Sequence, residues 1–254
     1  MIHLTNEAGI QTITLDINES NSFNLEAFSL LHSLLDKAKN EKSKVLILRS
    51  NREKVFSNGL NLAQLSGSPT DAVLGEFLNY FYSILEKIHS YPTPVIAEVS
   101  GHAMGYGAML AIASDFRFGL EGMRIGLPEV KIGIGVPSFV SLLLSDIIGP
   151  RQASDHVLWG NAFKTSEALE LGLFHEIYPD AEKLRDSVNK YVNRLVKNSI
   201  SAMVSTKASL REISKNRTKL IEYDIAQTLA SIKSEDAQEG IAASVAGRRP
   251  EFKF

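Results

Sequence analysis

A layered α/β core followed by a helical C-terminal region is the fold class this sequence predicts, and three observations carry the prediction. Short runs of branched apolar residues, KVLILR at 44–49 and PVIAEV at 94–99, have the composition of buried strands. A strand-strand-helix order recurs along the first half of the chain. Beyond about residue 137 almost every segment has helical spacing instead.

Taken in order, residues 2–5 and 10–16 alternate or run apolar, and the Glu7–Gly9 turn between them predicts a hairpin. Leu25, Phe28, Leu31, Leu35 and Ala38 then recur at helical spacing over 24–38. After the 44–49 strand, Val73, Phe77, Phe81, Ile84, Leu85 and Ile88 form one stripe of a helix over 71–89. The 94–99 strand is stopped by Ser100-Gly101. A short helix starts near Gly105 and runs to Ser114, and DFRFG and MRIG follow as strands. In the second half PSFVSLLLSDII, QASDHVLW, TSEALELG and the stretches 180–197, 200–215 and 217–233 read as helices, interrupted only by LFHEIY at 173–178 as a strand. With no low-complexity linker and no fixed-period repeat, the 254 residues divide into one α/β core, 1–196, and a helical extension, 197–254.

Composition removes several functional classes. Lys+Arg 27 against Asp+Glu 29 leaves a net charge of −2, without the basic excess of a nucleic-acid surface. Cysteine is absent, which excludes disulfides, thiolate metal sites and a cysteine nucleophile. MIHLTNEAGI lacks the basic and apolar regions of a signal peptide, the C-terminal Phe-Lys-Phe is no peroxisomal signal, and no segment is apolar enough to span a bilayer. The expectation is a cytoplasmic protein with no membrane partner. None of the six histidines has zincin spacing, so no metal site is expected. There is no Gly-x-Ser-x-Gly elbow and no Walker loop, and Gly105-Tyr106-Gly107 lacks the third glycine of a dinucleotide fingerprint.

Two glycine-bearing segments remain, VFSNGLNLAQL at 55–65 and SGHAMGYGAMLAIASD at 100–115. Each passes from a strand through small residues into a helix, where first-turn N–H groups have no internal acceptor. Two such donors converging would stabilise a developing oxyanion. Taken alone, both segments read first as ordinary strand-to-helix turns.

In combination these residues resemble the enoyl-CoA hydratase/isomerase (crotonase) superfamily. FSNGLNL is similar to the F-S-A-G-x-D-L segment of that family, and PVIAEVSGHAMGYGAMLAIASDFR to its P-V-I-A-x-V-N-G-x-A-x-G-G-G segment and the helix after it. IGLPEVKIGI resembles the P-E-x-x-x-G stretch. TSEALELGLFHEIYP and SEDAQEGIAASVAGRRPEF match the later patterns, in order and nearly end to end. The resemblance implies a crotonase-like spiral of ββα units, and C-terminal helices used in a homotrimer or dimer of trimers. It implies an acyl-CoA thioester substrate and no cofactor beyond the CoA of the substrate.

Carried over position by position, the oxyanion donors are the backbone N–H groups of Leu60 and Tyr106, the latter on the middle glycine of the triplet. Asn61, Leu62, Ala63 and Met109 are the expected substrate contacts. Hydratases of the family carry two glutamates; here the first position is Met109 and the second is Glu129. A thioether can neither activate water nor protonate C2, whereas moving a double bond from C3 to C2 needs one base. The nearest resemblance is therefore to the Δ3,Δ2-enoyl-CoA isomerases, with Glu129 catalytic. VPSFVSLLL after the P-E pair also departs from the hydratase P-G-x-G-G-x-Q-R-L. The further aspartate of dienoyl isomerases would fall at Pro137. The alternatives are an enoyl-CoA hydratase and a non-catalytic acyl-CoA-binding homologue. Glu98 and Asp115 are expected to be structural ion-pair or capping groups. Arg248, Arg249 and Lys253 form a basic tail cluster that could meet the 3′-phosphate of CoA.

Overall fold

In the computed structural model, which describes residues 1–41, 43–65, 70–212 and 220–252, the chain winds between two sheets. β1 (His3–Glu7) and β2 (Ile10–Leu15) form the expected antiparallel hairpin, and α1 (Leu25–Asn40) follows, its first turn capped by Asn24, which accepts from Ala27 N–H. Three strand pairs come next: β3 (Val45–Ser50) with β4 (Lys54–Ser57), β5 (Val95–Val99) with β6 (Gly101–Met104), and β7 (Phe116–Leu120) with β8 (Arg124–Gly126). The pairs are separated by α2 (Asp71–His89) and α3 (Tyr106–Ala113).

The first strand of each pair joins a six-stranded sheet ordered β1-β2-β3-β5-β7-β10. The second joins a four-stranded sheet ordered β4-β6-β8-β9. Here β9 is Ala162–Lys164 and β10 is Glu176–Tyr178. Each ββα unit thus advances both sheets by one parallel strand, which is the crotonase-like spiral.

The apolar runs have a physical reason. In β3, Leu46 and Leu48 face the main core, while Val45 and Ile47 face α7 (Ala181–Leu195) through Leu184, Val188 and Val192. A strand covered on both faces cannot alternate with polar residues. α3 is buried at all eight positions, so it too lacks a polar face. Two of the carboxylates admitted to this interior are ion-paired. Glu98, 1% exposed, accepts from Arg49 and Arg185 at 2.8 Å each, and Asp115 accepts from Lys207 at 2.5 Å and Arg211 at 2.7 Å. Both carboxylates are structural, as expected.

The C-terminal half is completed by α4 (Ser138–Ile148), α5 (Pro150–Trp159), α6 (Thr165–Glu170), α8 (Ile200–Glu212), α9 (Leu220–Ile232) and α10 (Glu235–Val245). α9 packs back on the core of its own chain. Asp224 accepts from Ser138 N–H and Phe139 N–H at the start of α4, both at 2.9 Å, and Thr228 meets the Tyr82 hydroxyl of α2 at 2.6 Å.

The structure differs from the sequence expectation in four places. β6 occupies Gly101–Met104, where a loop was expected after Ser100-Gly101, and it is defined by its pairing with β4 and β8 in the second sheet. β9 interrupts the second half where only helices and the 173–178 strand were expected; its three residues are too few to show a period, and pairing with β8 defines it. The 173–178 strand shortens to Glu176–Tyr178, because Leu173 and Phe174 turn into the core. α10 lies inside the expected helical extension, 197–254, without a segment expectation of its own; Gly240 inside it lowers its propensity, yet a Cβ there would lie 2.3 Å from Ile132 O, so close packing requires the glycine. The parts of the 200–215 and 217–233 expectations at 213–219 lie outside the described residues. Among the described residues no helix is long and apolar enough to cross a membrane.

Candidate active site

The two glycine-bearing segments meet at the ends of β4 and β6. On the first, Asn21, fully buried and at positive φ (46°), donates through its side-chain amide to Ser50 Oγ at 2.8 Å and to Phe56 O at 3.2 Å. Ser57 Oγ donates to Asn21 O at 2.8 Å and accepts from Gly59 N–H at 3.1 Å. The backbone of Phe23 then pairs beside Leu60, donating to Gly59 O at 2.8 Å and accepting from Asn61 N–H at 2.9 Å. Leu60 N–H points away from this ladder and has no acceptor among the described residues.

On the second segment, Gly105 turns the chain at φ 53° and ψ −121°, a conformation open to glycine, and donates to Gly126 O at 2.9 Å. Tyr106 is the first residue of α3, so its N–H precedes the helical ladder, and it too lacks an acceptor among the described residues. The two free N–H groups are neighbours: a Cβ placed on Gly59 would lie 3.1 Å from Tyr106 N. Contact between the segments is tight at Gly107, where a Cβ would stand 2.4 Å from Ser57 O. Gly107→Ala is therefore expected to force β4 and α3 apart and to cost at least the roughly 1–3 kcal/mol typical of overpacking, read as a lower urea midpoint. An unchanged midpoint would mean the segments are not in this register.

Glu129 arrives from a third direction, in the 3₁₀ turn Glu129–Ile132 after β8. Its Oε1 would stand 3.3 Å from a Cβ on Gly105, which brings the carboxylate to the same spot as the two N–H groups. Oε2 is fully shielded and has no hydrogen-bond partner among the described residues. The residue keeps some accessible surface toward a cavity while protein surrounds the carboxylate. This burial, opposed by the backbone N–H of Glu129 itself, pushes its pKa up to about 7. An unpaired carboxyl poised near neutrality is suited to proton transfer.

These groups line one end of a cavity of about 260 Å³ whose walls are mainly apolar. Met109, buried to 2% exposure, and Leu62 line it as well. Asn61 and Ala63 flank Leu62 without lining this cavity. Phe77, Leu78 and Phe81 of α2 form the far wall, with Thr228 and Ile232 of α9. Among the described lining residues Glu129 is the sole carboxylate. No group of three or more His, Asp or Glu side chains that could hold a metal occurs among the described residues. The Tyr106 side chain is directed into a cluster of aromatic rings beside the cavity, where its hydroxyl donates to Phe81 O at 3.0 Å. In the tail cluster, Arg248 donates to the Glu239 carboxylate through Nη1 and Nη2, at 2.6 and 2.8 Å, and Lys253 lies outside the described residues.

Sequence reasoning missed Asn21, Phe23 and Thr228. NESNSF reads as a plain turn, and nothing local to α9 signals that it closes a cavity whose other lining residues, Ser244 apart, lie more than ninety positions away in the sequence.

Comparison with known proteins identifies the family and the fold. The family model described as enoyl-CoA hydratase/isomerase matches residues 5–254. A carnitinyl-CoA dehydratase from Salmonella enteritidis PT4 is 30% identical over 259 aligned positions, covering 99% of this chain and 98% of the relative. Among solved structures, an enoyl-CoA hydratase from Bacillus halodurans superposes with a TM-score of 0.89 at 26% identity, covering 95% of this chain and 99% of that one. The human mitochondrial Δ3-Δ2-enoyl-CoA isomerase shares the fold with a TM-score of 0.90 at 22% identity, covering 97% of each chain.

Proposed function

The chain belongs to the enoyl-CoA hydratase/isomerase family, and from that premise we propose that it shifts the double bond of a 3-enoyl-CoA to the 2-position. Glu129 removes a proton from C2. The electron pair of the broken C2–H bond forms a C1–C2 double bond and drives the carbonyl pair onto the thioester oxygen, giving a dienolate conjugated with the intact C3–C4 double bond, whose oxygen accepts from Leu60 N–H and Tyr106 N–H. Glu129 then returns the proton to C4, leaving the double bond between C2 and C3. Atoms balance with one base, and no cofactor enters beyond the CoA of the substrate.

The observation that carries this reading is the single carboxylate. Glu129 alone among the described cavity residues is acidic, and the position of a second glutamate is filled by buried Met109. A second reading, hydration or dehydration of an acyl-CoA, is favoured by the names of the relatives at 26–30% identity, a hydratase and a carnitinyl-CoA dehydratase. It requires a group other than Met109 to handle water. In either case residues 197–254 serve a homotrimer or dimer of trimers, and through Thr228 and Ile232 they also bound the acyl cavity.

The pH profile tests the base. Glu129 works ionised, so kcat/KM for 3-enoyl-CoA is expected to rise tenfold per pH unit below its pKa and to level off above about 7. A profile flat from acid to neutral pH would remove Glu129 as the titrating base.

A further inference from the structure

We infer that the Tyr106 side chain is a positioning residue that holds the two oxyanion N–H donors in register, an inference that rests on the oxyanion-hole reading above. A backbone donor needs no side chain, and the resemblance places a glycine at this position. The tyrosine present is 1% exposed and packs against three rings, with centroid distances of 5.2 Å to Phe23, 4.8 Å to Phe28 and 4.5 Å to Phe81. Its hydroxyl bond to Phe81 O ties the first residue of α3 to the middle of α2 and satisfies a phenol that has no access to water.

The second connection runs to the other donor. Phe23 holds Leu60 from both sides through Gly59 O and Asn61 N–H, and its ring meets the Tyr106 ring edge-on at 74°. One aromatic contact therefore joins the segment that carries the Tyr106 N–H to the segment that carries the Leu60 N–H. The spacing of the donors matters because misplacement of reacting groups by about 1 Å costs on the order of 10²-fold in rate. Phe23 lies outside the cavity wall, so its effect on turnover cannot come from lost substrate contact.

The experiment uses Phe23→Leu and Tyr106→Phe in the full chain, with an arylacryloyl-CoA as optical probe and butyryl-CoA as a saturated binding control. Donors that polarise the conjugated thioester carbonyl move the absorption band of the probe to the red. The wild type is expected to produce this shift. Phe23→Leu is expected to lose most of it and to lower kcat for 3-enoyl-CoA by about 10- to 10²-fold, with KM and butyryl-CoA affinity unchanged. Tyr106→Phe, which keeps the ring contacts, is expected to fold as the wild type does and to lose a smaller part of both. A merely structural role would lower the thermal midpoint of the folded variants without moving the band. Wild-type shift and kcat in both variants would overturn the inference while leaving the oxyanion hole standing. A wild type that produces no shift would overturn the oxyanion hole itself, and the positioning role with it.

Discussion

Glu129→Gln is expected to lose about 10²–10⁴-fold in turnover of 3-enoyl-CoA, the range attributed to a positioned general base, while acyl-CoA affinity changes little. Glutamine keeps the shape of the side chain and removes only the basicity. The same substitution has a second, opposite signature. Burial raises the folded-state pKa of Glu129 from 4.5 to about 7, so its contribution to stability is fully present below the unfolded value and is lost as pH rises through about 7. At pH 8 the wild type therefore holds an uncompensated buried carboxylate. The glutamine variant is expected to be the more stable protein there, by as much as about 3 kcal/mol, and to lose that advantage as pH falls toward the unfolded pKa. Wild-type turnover in Glu129→Gln would eliminate the proposed mechanism. A variant less stable than wild type at pH 8 would contradict the burial that makes the group a base.

Glu98→Ala is expected to have the largest effect on stability. Glu98 is 1% exposed, and Arg49, its partner at 2.8 Å, is largely buried, whereas Arg185 is about half exposed and can reach water. Removing the carboxylate leaves the Arg49 guanidinium without its counter-charge inside the sheet, where burial already lowers its pKa. Breaking such a pair typically costs about 3–5 kcal/mol, against less than 1 for a surface bridge. Urea unfolding measures it directly. A loss below about 1 kcal/mol would mean that Arg49 finds water or another acceptor.

The α/β core was legible because strands such as β3 are buried on both faces, whereas the spiral winding of its ββα units was implied only by the family resemblance. The run VLILR leaves no polar alternation to confuse, and the stripe over 71–89 coincides with α2 to the residue. β9 was illegible because three residues carry no period and only β8 defines them. At the site, Leu60, Tyr106 and Glu129 were legible as motif positions, and the structure brings them to one spot. The direction of the Tyr106 side chain was not, since it is decided by Phe23, Phe28 and Phe81 from other segments. The wall made by α9 was hidden for the same reason. It depends on the Asp224 carboxylate capping α4 and on the Thr228–Tyr82 bond, contacts spanning 86 and 146 positions. Local pattern records what a segment needs; it does not record which distant segment supplies it.

The central claim is that one carboxylate serves the reaction, and the most direct measurement is the partition of the unmutated protein between its two candidate activities. Purified protein is given 3-hexenoyl-CoA and crotonyl-CoA separately, and the formation of the 2-enoyl thioester and of the 3-hydroxyacyl thioester is followed. Isomerisation well above hydration is expected, because Glu129 is the sole carboxylate among the described cavity residues and the family resemblance puts Met109 at the position of a hydratase's second glutamate. Hydration of crotonyl-CoA at a rate comparable with isomerisation would contradict the claim and show that another group handles water beside Glu129.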